Sequence, residues 1–235
     1  MKLHTQEWGS GDRIALLVHG IMSDHRTWRR VGPTLAERGY RVIAVDQRGH
    51  GLSPRGAGRT PQERYALDAY ADDLAETVPA GVELAIGHSL GGITLLRAVE
   101  RLKPARAVYV DPGWQFARAE GVDPTVFVEF RHAGREQITA MNPRWESADV
   151  DVELATLAAW DPDSALAMPG QESGLPTAPA VPSLVVLAED SFLVSDADAE
   201  LLRARGFEVR TVPGAGHTVH RDDHAGFMAA LEGWI

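Results

Sequence analysis

The chain has 235 residues, 44% hydrophobic and 24% charged, a size and balance that suit one globular domain and exclude disorder or a fibre. Lys and Arg total 23 against 33 Asp and Glu, and a formal charge of −10 with no basic cluster to offset it excludes nucleic acid and anionic membrane as electrostatic partners. Cysteine is absent, which removes disulfides, thiolate zinc sites, iron–sulfur clusters and cysteine nucleophiles together.

The opening Met1-Lys2-Leu3-His4-Thr5-Gln6-Glu7-Trp8 lacks the apolar run of a signal peptide, and the region before Ile14 has room for one strand. Residues 14–18 are apolar on both faces and read as a buried strand that stops at His19-Gly20. A helix is expected over 27–38, ended by Gly39, and a strand over 41–45 leads into a turn-rich stretch, 46–53. Leu67, Tyr70, Ala71, Leu74 and Val78 recur at helical spacing. A strand over 82–86, a helix over 90–102 and a strand over 107–110 follow.

Strand–helix–strand alternation requires crossovers, and crossovers make a parallel sheet. The expected class is therefore α/β, with a mostly parallel central sheet flanked by helices. After Asp111 the alternation stops. Residues 112–180 hold no clear buried strand but carry aromatic residues such as Trp114 and Trp145. A strand over 184–188, a helix over 196–205, a strand over 208–212 and a final helix with Phe227, Leu231 and Trp234 complete the chain. The expectation is one core, 1–111 plus 181–235, with 112–180 inserted between two of its strands as a helical cap. No apolar run is long enough to span a bilayer, so a cytoplasmic protein is expected. Nothing in the sequence fixes an oligomeric state.

Gly87-His88-Ser89-Leu90-Gly91 matches G-x-S-x-G between a predicted strand and a predicted helix. A serine on so sharp a turn takes strained backbone angles, and neighbours without a Cβ let strand and helix approach closely. The turn lifts the hydroxyl clear of the sheet and places the N–H of Leu90 where it can stabilise an oxyanion. Such a serine needs a base, and the base needs an orienting acid. His217, in the loop after the last predicted strand, can reach the same sheet edge, and Glu189-Asp190 follows the preceding strand in the same way. Asp190 is the preferred acid; Asp111, which also ends a strand, is the runner-up.

These residues resemble the α/β-hydrolase fold family over essentially the whole chain. His19-Gly20-Ile21-Met22 is similar to that family's His-Gly turn, which implies that the N–H of Ile21 is a second oxyanion donor. Asp46-Gln47-Arg48-Gly49-His50-Gly51-Leu52-Ser53 looks like its structural D-x-R-G-x-G-x-S turn, Ala188-Glu189-Asp190 fills the slot written G-x-x-D, and Gly214-Ala215-Gly216-His217 looks like its G-x-x-H. The resemblance implies a cap over the active site and a serine hydrolase that cleaves a small-molecule ester or lactone without a metal or other cofactor. His88, Trp114 and Trp145 are the candidate substrate contacts. The same triad also resembles those of carbon–carbon hydrolases, acyltransferases, perhydrolases and ligand receptors of this fold. Serine in the nucleophile slot disfavours dehalogenase and epoxide hydrolase chemistry. His217, His220 and His224 have a spacing that suggests a metal cluster, but with His217 on a loop they are not expected to converge.

Overall fold

The computed structural model describes residues 1–116, 123–171 and 174–235. Its sheet has seven strands: β1 (Thr5–Trp8), β2 (Arg13–Val18), β3 (Tyr40–Val45), β4 (Leu84–His88), β5 (Arg106–Val110), β6 (Ser183–Ala188) and β7 (Glu208–Val212), in the spatial order β1-β3-β2-β4-β5-β6-β7. Only β1 runs antiparallel to its neighbour, at the edge against β3. The parallel strands alternate their side chains between two buried layers, so their sequences read as continuous apolar runs. Leu16, Val18, Val185 and Leu187 enter one layer, while Ala15, Leu17, Leu184 and Val186 enter the other.

The first layer is covered by α3 (Leu67–Thr77), α4 (Leu90–Leu102) and α9 (Asp196–Ala204). The second is covered by α1 (Val31–Glu37) and α11 (His224–Ala230). The helix expected over 27–38 is in fact two pieces, a 3-10 turn at His25–Trp28 and then α1. Pro33 is the reason: it has no N–H to give and would clash with the carbonyl four residues back, so it is accommodated only in a helix's first turn. The final helix also divides, into α10 (Val219–Asp222) and α11, at an extended Asp223 whose carboxylate accepts the Gly226 N–H at 2.8 Å.

Between β5 and β6 the described residues are helical, in α5 (Thr125–Phe130), α6 (Arg135–Met141), α7 (Ser147–Ala159) and α8 (Asp163–Leu166). Ala133, Ile138, Val150 and Leu157 form a small core within this insert. A short helix α2 (Pro61–Arg64), opened by a Thr60–Glu63 capping box, docks against α8 through an Arg64–Asp163 ion pair. Among the described residues no helix is long and apolar enough to cross a membrane.

Candidate active site

The strand expected over 82–86 lies two residues later, so that Gly87 and His88 still pair with Tyr109 and Val110 and Ser89 follows directly. Ser89 has φ 51 and ψ −114, a conformation costly for any residue with a Cβ. Surrounding bonds hold it there: its N–H donates to Val110 O at 3.0 Å, and its carbonyl accepts from Gly92, Ile93 and Gly113. The glycines are required by distance. A Cβ at Gly91 would lie 2.2 Å from Val18 O, and one at Gly87 would lie 2.4 Å from Gly91 O. Leu90 is the first residue of α4, so its N–H has no partner within the helix and faces the site with the positive end of the helix dipole.

The second expected donor sits on a turn fixed by His19. Gln47 N–H donates to His19 Nε2 at 2.9 Å, which puts the ring proton on Nδ1, and Nδ1–H donates to Gly20 O at 2.7 Å. Burial drives this histidine's pKa down, in keeping with the neutral tautomer. Orienting the Gly20 carbonyl orients the Gly20–Ile21 peptide, and hence the Ile21 N–H. Gly20 itself must lack a side chain, since a Cβ would meet His88 Nδ1 at 2.9 Å and Ser89 Cβ at 3.1 Å.

His217 reaches this edge from the loop after β7, as expected. Its partner is Asp111. Nδ1–H of His217 donates to Asp111 Oδ2 at 2.6 Å, and the Asp111 carboxylate is completely buried. Asp190, the acid preferred from sequence, is exposed on the wall of a separate groove with Glu189, Glu200 and Arg203. The difference is one of strand position. β5 lies directly beside β4, and at its end Asp111 takes φ 39, which turns the side chain into the site. Asp190 lies two residues beyond the end of β6, and the carboxylate preceding it, Glu189, accepts the Gly214 N–H at 3.0 Å and so ties the loops together.

Ser89 and His217 open onto one cavity of about 120 Å³, bordered by Ile21, Leu90, Ile93, Phe116, Phe127 and Met168 among others. His88 also lines it, donating Nε2–H to His217 O at 2.9 Å. Burial, reinforced by His217 and His220, keeps His88 neutral by pushing its pKa well down. The other two proposed contacts do not reach the cavity. Trp114 is fully buried in the sheet's first layer, edge-on to Tyr109. Trp145 donates its indole N–H to Asp222 Oδ1 at 2.9 Å and packs its ring on the Arg221 guanidinium at 3.5 Å. Large aromatic side chains make good core and bad pocket predictions, because their size suits either role.

The three histidines with suggestive spacing diverge. His217 engages Asp111, His220 Nε2 lies 3.1 Å from Thr27 Oγ1, and His224 Nε2 lies 3.3 Å from Thr34 Oγ1. His220, at the start of α10, is buried and stacks on Trp28. Among the described residues, His4, His25 and Asp46 place one donor atom each within 4.8 Å of one another, a spacing a metal could use. Asp46, however, already accepts from His25 N–H, His25 Nδ1–H and Leu52 N–H, so its carboxylate serves to close the turn at 46–53.

A family model described as the alpha/beta hydrolase family matches residues 15–231. The chain belongs to this family. Within it, the chain is 32% identical over 248 aligned residues to a 2-(acetamidomethylene)succinate hydrolase from Mesorhizobium japonicum, covering 93% of this chain and 86% of the relative. Among solved structures, the N-formylmaleamic acid deformylase of Pseudomonas putida superposes with a TM-score of 0.74 at 23% identity, covering 98% of this chain and 95% of that one. A thermophilic esterase from Thermogutta terrifontis gives 0.71 at 24% identity, covering 99% and 92%. At these identities the structures share the hydrolase fold.

Asp111, the runner-up acid from sequence, carried a usable signal as a carboxylate ending the strand next to that of Ser89. Two residues that border the cavity were not singled out from sequence. Glu153 and Arg221 carried none; they meet only because α7 folds down onto α10.

Proposed function

We propose that the protein is a serine hydrolase that cleaves small carboxylic esters or lactones through an acyl-enzyme on Ser89. The observation that carries this reading is the Asp111–His217 hydrogen bond at the edge where Ser89 stands on its strained turn. His217 takes the Ser89 proton as Oγ attacks the carbonyl carbon, and Asp111 holds the ring in the tautomer that leaves Nε2 free to accept it. The N–H groups of Ile21 and Leu90 receive the oxyanion, each contributing about 3 kcal/mol in comparable sites. His217 then protonates the leaving alkoxide, and water, activated by the same ring, releases the acid. The scheme calls on no metal or cofactor.

The small cavity supports a short acyl group. Purified protein is expected to hydrolyse p-nitrophenyl acetate and butyrate faster than octanoate, and Ser89→Ala to lose that activity while melting at the wild-type temperature. Activity retained in Ser89→Ala would overturn the assignment. A second reading, hydrolysis of an acetamide by the same residues, is favoured by the substrate named for the Mesorhizobium relative. Turnover of p-nitroacetanilide would bring it forward.

A further inference from the structure

The cavity beside Ser89 is not apolar on every side. Away from Ser89, His88 and the His217–Thr218 loop, its polar lining comes from Ser23 and Thr27, from α7 and from α10, and α10 bonds to both of the others. At their meeting point Arg221 and Glu153 form a buried ion pair, Nη1–H to Oε2 at 2.6 Å.

The two partners differ in what they have left to offer. The guanidinium borders the cavity too, but its nitrogens are taken up: Nη2 donates to the Asp149 carbonyl, Trp145 covers a face at 3.5 Å, and Nε is buried 3.7 Å from Asp149 Oδ1. The carboxylate is not. Oε2 of Glu153 is occupied, while Oε1 accepts from no described group and the side chain borders the cavity. A carboxylate oxygen has room for a further donor, and in a low-dielectric wall that bond is strong and directional. Nearby, the Ser23 hydroxyl is buried on the same cavity, also without a partner. Buried polar atoms are rarely left unsatisfied, so the Ser23 hydroxyl and the open Glu153 oxygen on one cavity mark where a ligand's polar group completes the set.

We infer that Glu153 is a substrate-binding residue whose Oε1 accepts a hydrogen bond from an ammonium or hydroxyl group on the substrate, with Arg221 holding it in place. This rests on Ser89 being the nucleophile of the reading above and adds the substrate class: acyl compounds that carry a hydrogen-bond donor. A carboxylate at the same place would face the Glu153 oxygen with like charge and no proton to share.

The test uses boronic acids, which add reversibly to an active serine and mimic its tetrahedral intermediate. Phenylboronic acid and its 3-aminomethyl, 3-hydroxymethyl and 3-carboxy derivatives are compared as inhibitors of p-nitrophenyl acetate hydrolysis. The aminomethyl and hydroxymethyl compounds are expected to bind about tenfold more tightly than the parent, and the carboxy compound about tenfold more weakly. In Glu153→Gln, which keeps an acceptor for Arg221, the charge-dependent spread between aminomethyl and carboxy compounds should collapse to within about threefold. If that variant does not fold, the wild-type ranking decides alone. Equal binding of all four compounds, or tightest binding of the carboxy one, with turnover intact overturns the assignment and leaves the hydrolase reading standing. No turnover and no inhibition by any boronate overturns both.

Discussion

The Asp111 carboxylate and the His217 ring, 106 residues apart in sequence, meet at 2.6 Å because Asp111 takes φ 39 at the end of β5. A carboxylate so placed fixes the imidazole tautomer and stabilises the imidazolium formed during attack. Asp111→Asn is expected to lower kcat by about four orders of magnitude. Asp190→Asn should leave it within about twofold, as surface changes away from a site generally do. Steady-state kinetics on p-nitrophenyl acetate decide it, and the reverse ranking would return the acid's role to Asp190.

A glycine inside a helix normally costs stability, so replacing it with alanine should help by about 1 kcal/mol. At Gly91 the sign should invert. The new methyl group would press on the Val18 carbonyl at 2.2 Å, a backbone atom that cannot swing away. Gly91→Ala is expected to lose about 3 kcal/mol or more, read as a lower urea midpoint. A stabilised variant would mean that α4 and β2 are not packed this closely.

Acid should weaken the fold through its buried histidines. His50 is wholly buried, its Nδ1–H donates to Arg48 O, and burial with a neighbouring His19 pushes its pKa down to about 3. The unfolded chain takes up a proton near pH 6.5 that the folded one refuses. Its contribution is therefore complete above that pH and drains as pH falls toward the folded value, by about 1.4 kcal/mol per unit. His88 and His220 act in the same sense. His25, raised by its bond to Asp46, acts oppositely, stabilising at low pH and losing its effect as pH rises through its raised value. The urea midpoint should fall between pH 7 and pH 5, and His50→Asn should flatten that slope. Identical slopes would refute the assignment to His50.

Trp114 fills the sheet's first layer beside Tyr109 and Phe207. Trp114→Ala should cost about 3–5 kcal/mol of stability. At a temperature where the variant is still folded, KM for small esters should stay close to wild type. A raised KM with an unchanged melting temperature would restore Trp114 to the substrate.

The α/β class, the crossovers and the positions of Ser89 and His217 were legible because each depends on local pattern: apolar runs, helical period, glycine spacing and strand-end loops. The acid was not, because Asp111 and Asp190 both end strands and what separates them is a backbone dihedral and one strand's width. The breaks at Pro33 and Asp223 carried local signals that the apolar period concealed. Trp114 and Trp145 show the opposite limit. An aromatic residue in an insert is equally suited to core and cavity, and only its neighbours decide.

The ion pairs that fasten the insert reach outside it. Arg29, just beyond the 3-10 turn, holds Asp149 of α7 at 2.8 Å, and Arg221 of α10, four residues after His217, holds Glu153 of α7. An engineer who wished to change substrate by exchanging the segment between β5 and β6 would leave Arg29 and Arg221 facing a helix that no longer answers them, with Arg30, Arg55 and Arg64 likewise stripped of carboxylates. A transplant that works must carry Arg29 and Arg221 with it, or bring its own carboxylates to both. What fastens the insert is thus written in three pieces of sequence, though in space it is one wall.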